Sequence, residues 1–260
     1  MVISVCIALD GSDRLSGQEL RGIREMALKD DLIAKVREYS TQRWGDIPNG
    51  YVVPTAEQLT FANSGVRINA CVLYADLHRS TEMVDALSDT LAAEYYKAYL
   101  FCAAKIVKDN EGEITAYDGD RVMAIYKGDD DARAAVITAL QLHYAVNFLV
   151  NPIFRQTYGY MHRDLQHTVG IDYGRLLVAK TGVRIDSDLV WVGPAANYAA
   201  KLNSFDGLNI TYPTRATKDV LARLKPGDFY RKSDGGTIWD GPYVNVGKDH
   251  YRSNIFLEIA

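Results

Sequence analysis

The sequence predicts an α+β fold in which a sheet is covered by helices, preceded by a helical N-terminal extension. Three observations predict it. From Val66 onward, apolar runs of strand length alternate with stretches of helical periodicity. Tight turns such as Asp118-Gly119 join neighbouring runs and imply antiparallel pairing. Of the 260 residues 48% are hydrophobic, enough for a full core, and 24% are charged, as in ordinary soluble proteins.

Residues 1–63 read as an extension and connector, and residues 64–260 as the main domain. Within the extension, 17–40 carries Leu20, Ile23, Met26, Leu32, Ile33 and Val36 at helical spacing. The segment 44–54, with Pro48 before Asn49-Gly50, reads as a connector lying against the main domain. The run 66–77 is a strand, and 78–110 is read as helix. The second half of that helix carries Tyr95, Tyr96, Tyr99 and Phe101, read as one aromatic face. Residues 113–117 and 121–126 form a hairpin, 132–150 is a long apolar helix, and 151–164 is a loop. Residues 167–173 and 175–181 are read as paired strands turning at Gly174. A short strand at 188–192 precedes a helix at 195–204 with Pro194 in its first turn. Then come a strand at 209–212, a capped helix at 214–224 and further strands to the end.

Composition excludes several functions. A net charge of −4 leaves no broad electrostatic footprint for nucleic acid or an anionic membrane. The apolar runs look too short and too interrupted to span a bilayer, and residues 1–10 lack a basic leader. Cys6, Cys71 and Cys102 are odd in number and far apart, which fits free thiols of a reducing compartment. The expectation is a cytosolic protein.

The chemistry gathers at two acids. Asp76 closes the apolar run 66–77, and Asp120 sits in a Tyr-Asp-Gly-Asp turn before another apolar run. Two carboxylates at the ends of adjacent strands suit hard divalent cations, which take oxygen ligands and stabilise a phosphoryl displacement. An ordinary strand end and turn would use the same residues.

Four motifs in order give these acids a context. Tyr74-Ala75-Asp76-Leu77-His78-Arg79-Ser80-Thr81 resembles the first metal motif of class III nucleotidyl cyclases, and Gly119-Asp120-x-x-Met-Ala resembles the second. Gly170-Ile171-Asp172-Tyr173-Gly174 resembles the family's Gly-Ile-x-x-Gly hairpin. Gly193-x-x-x-Asn197-x-x-x-Lys201 resembles its ribose- and phosphate-contacting helix. The resemblance implies a ferredoxin-type sheet of the class III cyclase kind. It implies that Asp76, the Leu77 carbonyl and Asp120 hold two divalent cations, Mn²⁺ or Mg²⁺. Backbone N–H groups from Leu77 through His78, Arg79, Ser80 and Thr81 would cradle the phosphates. Asn197 would orient the ribose. Lys201 stands where the family has Arg, keeping the charge but losing the planar fork. In the family these two halves come from different subunits, so a homodimer would build two shared sites.

The family's purine-reading positions fall at Ala116 and Val190, and neither can hydrogen-bond a base. Thr115, Tyr117, Arg121 and Trp191 are nearby candidates for the base contact. This departure, with Val53-Pro54 and the Leu-Tyr-Ala-Asp form of the first motif, resembles the pyrimidine (uridylate and cytidylate) cyclases of bacterial antiphage defence. The implied substrate is a nucleoside triphosphate, UTP ahead of CTP, and the implied product, cyclic UMP, would activate a downstream effector.

Overall fold

The computed structural model describes residues 17–204, 210–231 and 235–259. The leader positions 1–10 and Cys6 lie outside the described residues. The chain divides after Gly45 into two compact units. In the first, helix α1 (Gly17–Thr41) runs 25 residues. Arg21 pairs with Glu25 (3.1 Å) and Lys35 with Glu38 (2.8 Å), exposed pairs that support a helix only weakly.

The second unit starts with the connector. The Arg67 N–H donates to the Pro48 carbonyl (2.9 Å), and the Gly50 N–H donates to the Arg67 carbonyl (2.7 Å). The connector thus lines the start of strand β1 (Val66–Leu77), before strand β3 (Arg121–Tyr126) joins that edge at Cys71. Strand β2 (Glu113–Asp118) forms a hairpin with β3, and β1 pairs antiparallel with β4 (His167–Gly182) on its other edge. Strand β5 (Ser187–Val192) folds back on β4, while β6 (Thr214–Thr217) runs parallel to it. Strands β7 (Asp240–Tyr243) and β8 (His250–Ser253) complete the order β2-β3-β1-β4-β6-β8-β7, with β5 off that path.

Side-chain alternation along β1 divides the interior in two. Cys71, Leu73, Ala75 and Leu77 face a large core closed by helices α3 (Asp89–Asp109) and α4 (Asp131–Tyr144). Ile68, Ala70 and Val72 face a smaller core beneath helix α6 (Pro194–Asn203), which contributes Ala195, Ala196 and Ala199. Small residues on α6 let it lie close. At Gly170 on β4, an added Cβ would stand 2.1 Å from the Ala199 carbonyl oxygen.

Several expectations need correction. The helix read at 78–110 is two helices, α2 (Ser80–Ala86) and α3, and Ser88 caps α3 by accepting from the Leu91 N–H (3.3 Å). Tyr95 and Tyr99 are buried whereas Phe101 is exposed, because residues two apart on a helix point to different sides. Residues 151–158 are not a loop. After a π-helical turn (Ala145–Val150), helix α5 (Asn151–Tyr158) continues the same path. The run Asp131–Met161 is long and apolar enough to cross a bilayer, but more than half of its most apolar stretch is packed inside the domain. Gly174 is no turn, since β4 is one strand of 16 residues, held straight by β1 along its whole first part. Residue 209 lies outside the described residues and 210–212 is irregular. The strand forms instead at β6, inside the expected helix 214–224, leaving only α7 (Lys218–Leu221) helical.

Candidate active site

Asp76 shares its face of β1 with Ile68, Ala70, Val72 and Tyr74, and therefore points to the α6 side of the sheet. Arg121 shares the corresponding face of β3 with Met123 and Ile125. The two meet: Arg121 Nε and Nη2 donate to Asp76 Oδ2 at 3.0 and 2.7 Å. Asn203, the last residue of α6, extends Nδ2 to the same oxygen at 3.4 Å. Asn203 is itself held by Thr168, whose hydroxyl donates to its carbonyl oxygen (2.7 Å) and side-chain oxygen (2.9 Å). Since Thr168 lies opposite Asp76 in the β1–β4 register, strand and helix together fix that carboxylate.

Asp120 follows Gly119, whose φ of +61° is the left-handed conformation glycine adopts without steric cost. Burial raises the Asp76 carboxyl above its usual range and the Asp120 carboxylate raises it further, against the Arg121 guanidinium. The Tyr99 phenol is also pushed up, first by burial and then by the charges of Asp76 and Asp120. The structure therefore brings both sequence-predicted acids into one electrostatic site.

Asp120 Oδ2 is buried without a hydrogen-bond partner, which is costly for a carboxylate unless something positive meets it. That orphaned oxygen beside Asp76 fits a hard divalent cation. Among the described residues no group of three or more His, Cys, Asp or Glu side chains is placed to hold a metal ion. Two carboxylates with carbonyl, water and phosphate oxygens complete the kind of shell that Mg²⁺ takes. The Leu77 carbonyl is adjacent in sequence.

Past Leu77 the chain leaves the sheet. The His78 N–H donates to the Gln166 carbonyl (2.8 Å), so it is engaged within the protein and not presented to a phosphate. Arg79 takes a left-handed φ of +57° and turns the chain into α2, with Ser80 and Thr81 opening the helix. The Arg79 guanidinium is paired with Glu82.

Asn197 and Lys201 sit one turn apart on α6 and are both exposed, opposite the alanines that pack on the sheet. The Lys201 ammonium lies 5.0 Å from the Tyr198 ring centroid. Lys201, Ser204 and Asn245 border an open cleft of about 510 Å³. Asn197 and Lys201 thus face outward, while Asn203 on the same helix faces Asp76.

Ala116 is turned by a β-bulge between Ile114 and Ala116. Ile114 packs on the large core, and Ala116 two residues later packs on the α6 side, in the row of Met123 and Tyr74. Val190 is 40% exposed and does not join that cluster; Trp191 takes the inward place. The residues not foreseen are Asn203 and Thr168, and the pairing of Arg121 with Asp76. No local signal marks them, because each acts across a sequence separation of 35 or more.

No family model matches the chain. A uridylate cyclase of Xanthomonas perforans is 39% identical over 231 residues, covering 88% of this chain and 97% of that protein. A uridylate cyclase of Burkholderia cepacia is 40% identical over 218 residues, covering 82% and 91%. Among solved structures, the adenylyl cyclase CyaB of P. aeruginosa superposes with a TM-score of 0.60 at 20% identity, over 73% of this chain and 95% of that one. The guanylyl cyclase Cya2 gives 0.59 at 18% identity, over 75% and 95%. These solved structures share the fold, a class III cyclase sheet with its helices. With identity of this level along nearly the whole of both relatives, the chain belongs to the uridylate cyclase family.

Proposed function

We propose that this enzyme converts UTP to 3′,5′-cyclic UMP and pyrophosphate at sites shared between two copies of the chain. The observation that carries the cyclase chemistry is the Asp76–Asp120 pair, with its buried unpartnered oxygen, at the end of β1. The names of the relatives support UTP, and so do Ala116 and Val190, which offer a purine no hydrogen bond.

In the reaction the ribose 3′-oxygen bonds to the α-phosphorus as the bond from that phosphorus to the bridging oxygen of the β-phosphate breaks. The 3′-hydroxyl proton passes to solvent water, and pyrophosphate departs with the electron pair of the broken bond. Divalent cations at Asp76 and Asp120, Mn²⁺ or Mg²⁺, supply the Lewis acidity that activates the hydroxyl and neutralises the phosphates. Asp76 is held in place by Arg121 and Asn203. Asn197 orients the ribose, and Lys201 places a positive charge by the α-phosphate. The outward set of Asn197 and Lys201 supports a site completed by a second subunit, which brings its α6 to its partner's acids. Cyclic UMP then serves in the cytoplasm as a second messenger for an effector of antiviral defence.

Incubating the protein with each of ATP, GTP, CTP and UTP in the presence of Mn²⁺, with mass spectrometry of the products, tests the reading. Cyclic UMP is expected to dominate. A dominant purine product overturns the base assignment, dominant cyclic CMP moves it to CTP, and no cyclic product in any metal overturns the activity.

A further inference from the structure

Beyond the end of β1 lies a cleft of about 380 Å³, one wall of which the first motif supplies and the other of which no motif accounts for. One side is His78 and Arg79, directly after Asp76 and Leu77. The other is the segment 163–166, which contributes Arg163 and Gln166. Two residues of extended chain span about 7 Å, so the cleft begins just past the acid pair.

The far wall is built. Asn151, buried on α5, clasps Leu165 from both sides, accepting from its N–H (2.8 Å) and donating to its carbonyl (3.0 Å). Tyr95, fully buried on α3, accepts from the Arg163 N–H (3.0 Å) and lies 3.0 Å from His162 Nδ1. Two buried polar side chains from two helices therefore fix the backbone on either side of Asp164. That is an unusual investment in a connecting segment.

Charge around the cleft is unevenly matched. Arg79 is paired with Glu82, and Asp164 is taken by His162 and Arg155. Among the described residues no carboxylate lies within ion-pair distance of Arg163, which is exposed on the rim. An arginine fork carried on a fixed backbone at the rim of a cleft suits a phosphate group.

We propose that Arg163 is a substrate-positioning residue that binds the terminal phosphates of the nucleoside triphosphate in this cleft. The same residue holds the pyrophosphate that leaves. The inference rests on the cyclase reading above and adds where the length of the phosphate chain is recognised. The α-phosphate reacts near the acids, the rest of the chain extends past His78, and Arg163 meets its far end.

The test compares the full-length protein with Arg163→Ala and Arg163→Lys. Two measurements are made: UTP turnover, and calorimetric binding of inorganic pyrophosphate and of UMP. In Arg163→Ala, KM for UTP is expected to rise by about tenfold or more, the scale of one charge-assisted contact. Turnover at saturation should change little, pyrophosphate binding should weaken by a similar factor, and UMP binding should hold. Arg163→Lys should recover part of the loss. An Arg163→Ala protein with an unchanged melting curve and unchanged KM and pyrophosphate affinity overturns the proposal. So does equal weakening of UMP and pyrophosphate. Should wild type cyclise no nucleotide while Arg163→Ala still loses pyrophosphate, the cyclase reading fails and the anion site stands.

Discussion

At Asp76, burial and a neighbouring carboxylate oppose ionisation, and Arg121 favours it. Removing one negative charge from the pair should therefore relieve the fold while disabling the chemistry. Asp120→Asn keeps the shape of the side chain. Its thermal midpoint is expected to equal or exceed that of wild type, with product formation down by about 100-fold or more. A melting curve and a product assay on the same sample check both. A second residue-scale effect comes from His167, whose ring is buried against Tyr99 and His143. Burial, with His143 adding to it, pushes His167 down to about 3, and burial lowers His143 too. Both are neutral in the folded protein and ionise on unfolding near 6.5. The stability they carry is complete above that pH and is lost as pH falls from 6.5 toward the folded values. Each contributes a slope of up to about 1.4 kcal/mol per pH unit. Urea melts at pH 8 and pH 5 should show a large loss in wild type and a smaller one in His167→Phe. The sequence displayed Asp76 and Asp120 because acids closing apolar runs stand out. It hid Asn203 and Thr168, whose meaning depends on α6 crossing β4.

At the scale of elements, the approach of α6 to the sheet decides where Asp76 is held. Gly170 permits that approach, and its added Cβ would also lie 2.7 Å from the Asn203 nitrogen. The obstruction is backbone, which cannot rotate away. Gly170→Ala is expected to cost about 3 kcal/mol in denaturant unfolding and to reduce activity even where folding is complete, by shifting Asn203 off Asp76. Much of the element pattern was legible. β1 spans the run its apolar residues announce, the β2–β3 hairpin forms at Asp118-Gly119, and α6 begins at Pro194. What failed was punctuation. Gly174 reads as a turn yet sits inside β4, where the ladder with β1 overrides local preference. Ser88 breaks one apparent helix into two, and the bulge that turns Ala116 has no marker in the alternation around it.

For the whole molecule, the proposed dimer has the inward acids of one copy share a nucleotide with the outward Asn197 and Lys201 of the other. Asp76→Ala and Lys201→Ala proteins should each be inactive alone. Mixed in equal amounts and allowed to exchange subunits, they should recover about a quarter of wild-type activity, because half the dimers then hold one intact site of two. No recovery in verified heterodimers rules out the shared arrangement.

Helix α6 stands between two sites in such a dimer. Through Asn203 it grips the acid of its own subunit, and through Lys201 and Asn197 it reaches for the nucleotide of the neighbour. Ten residues of one rigid rod cannot be tugged on one flank without the opposite flank feeling it. Filling the first pocket should thus alter affinity at the second, bending the UTP saturation curve away from a hyperbola, and Asn203→Ala should bring the Hill coefficient back toward one.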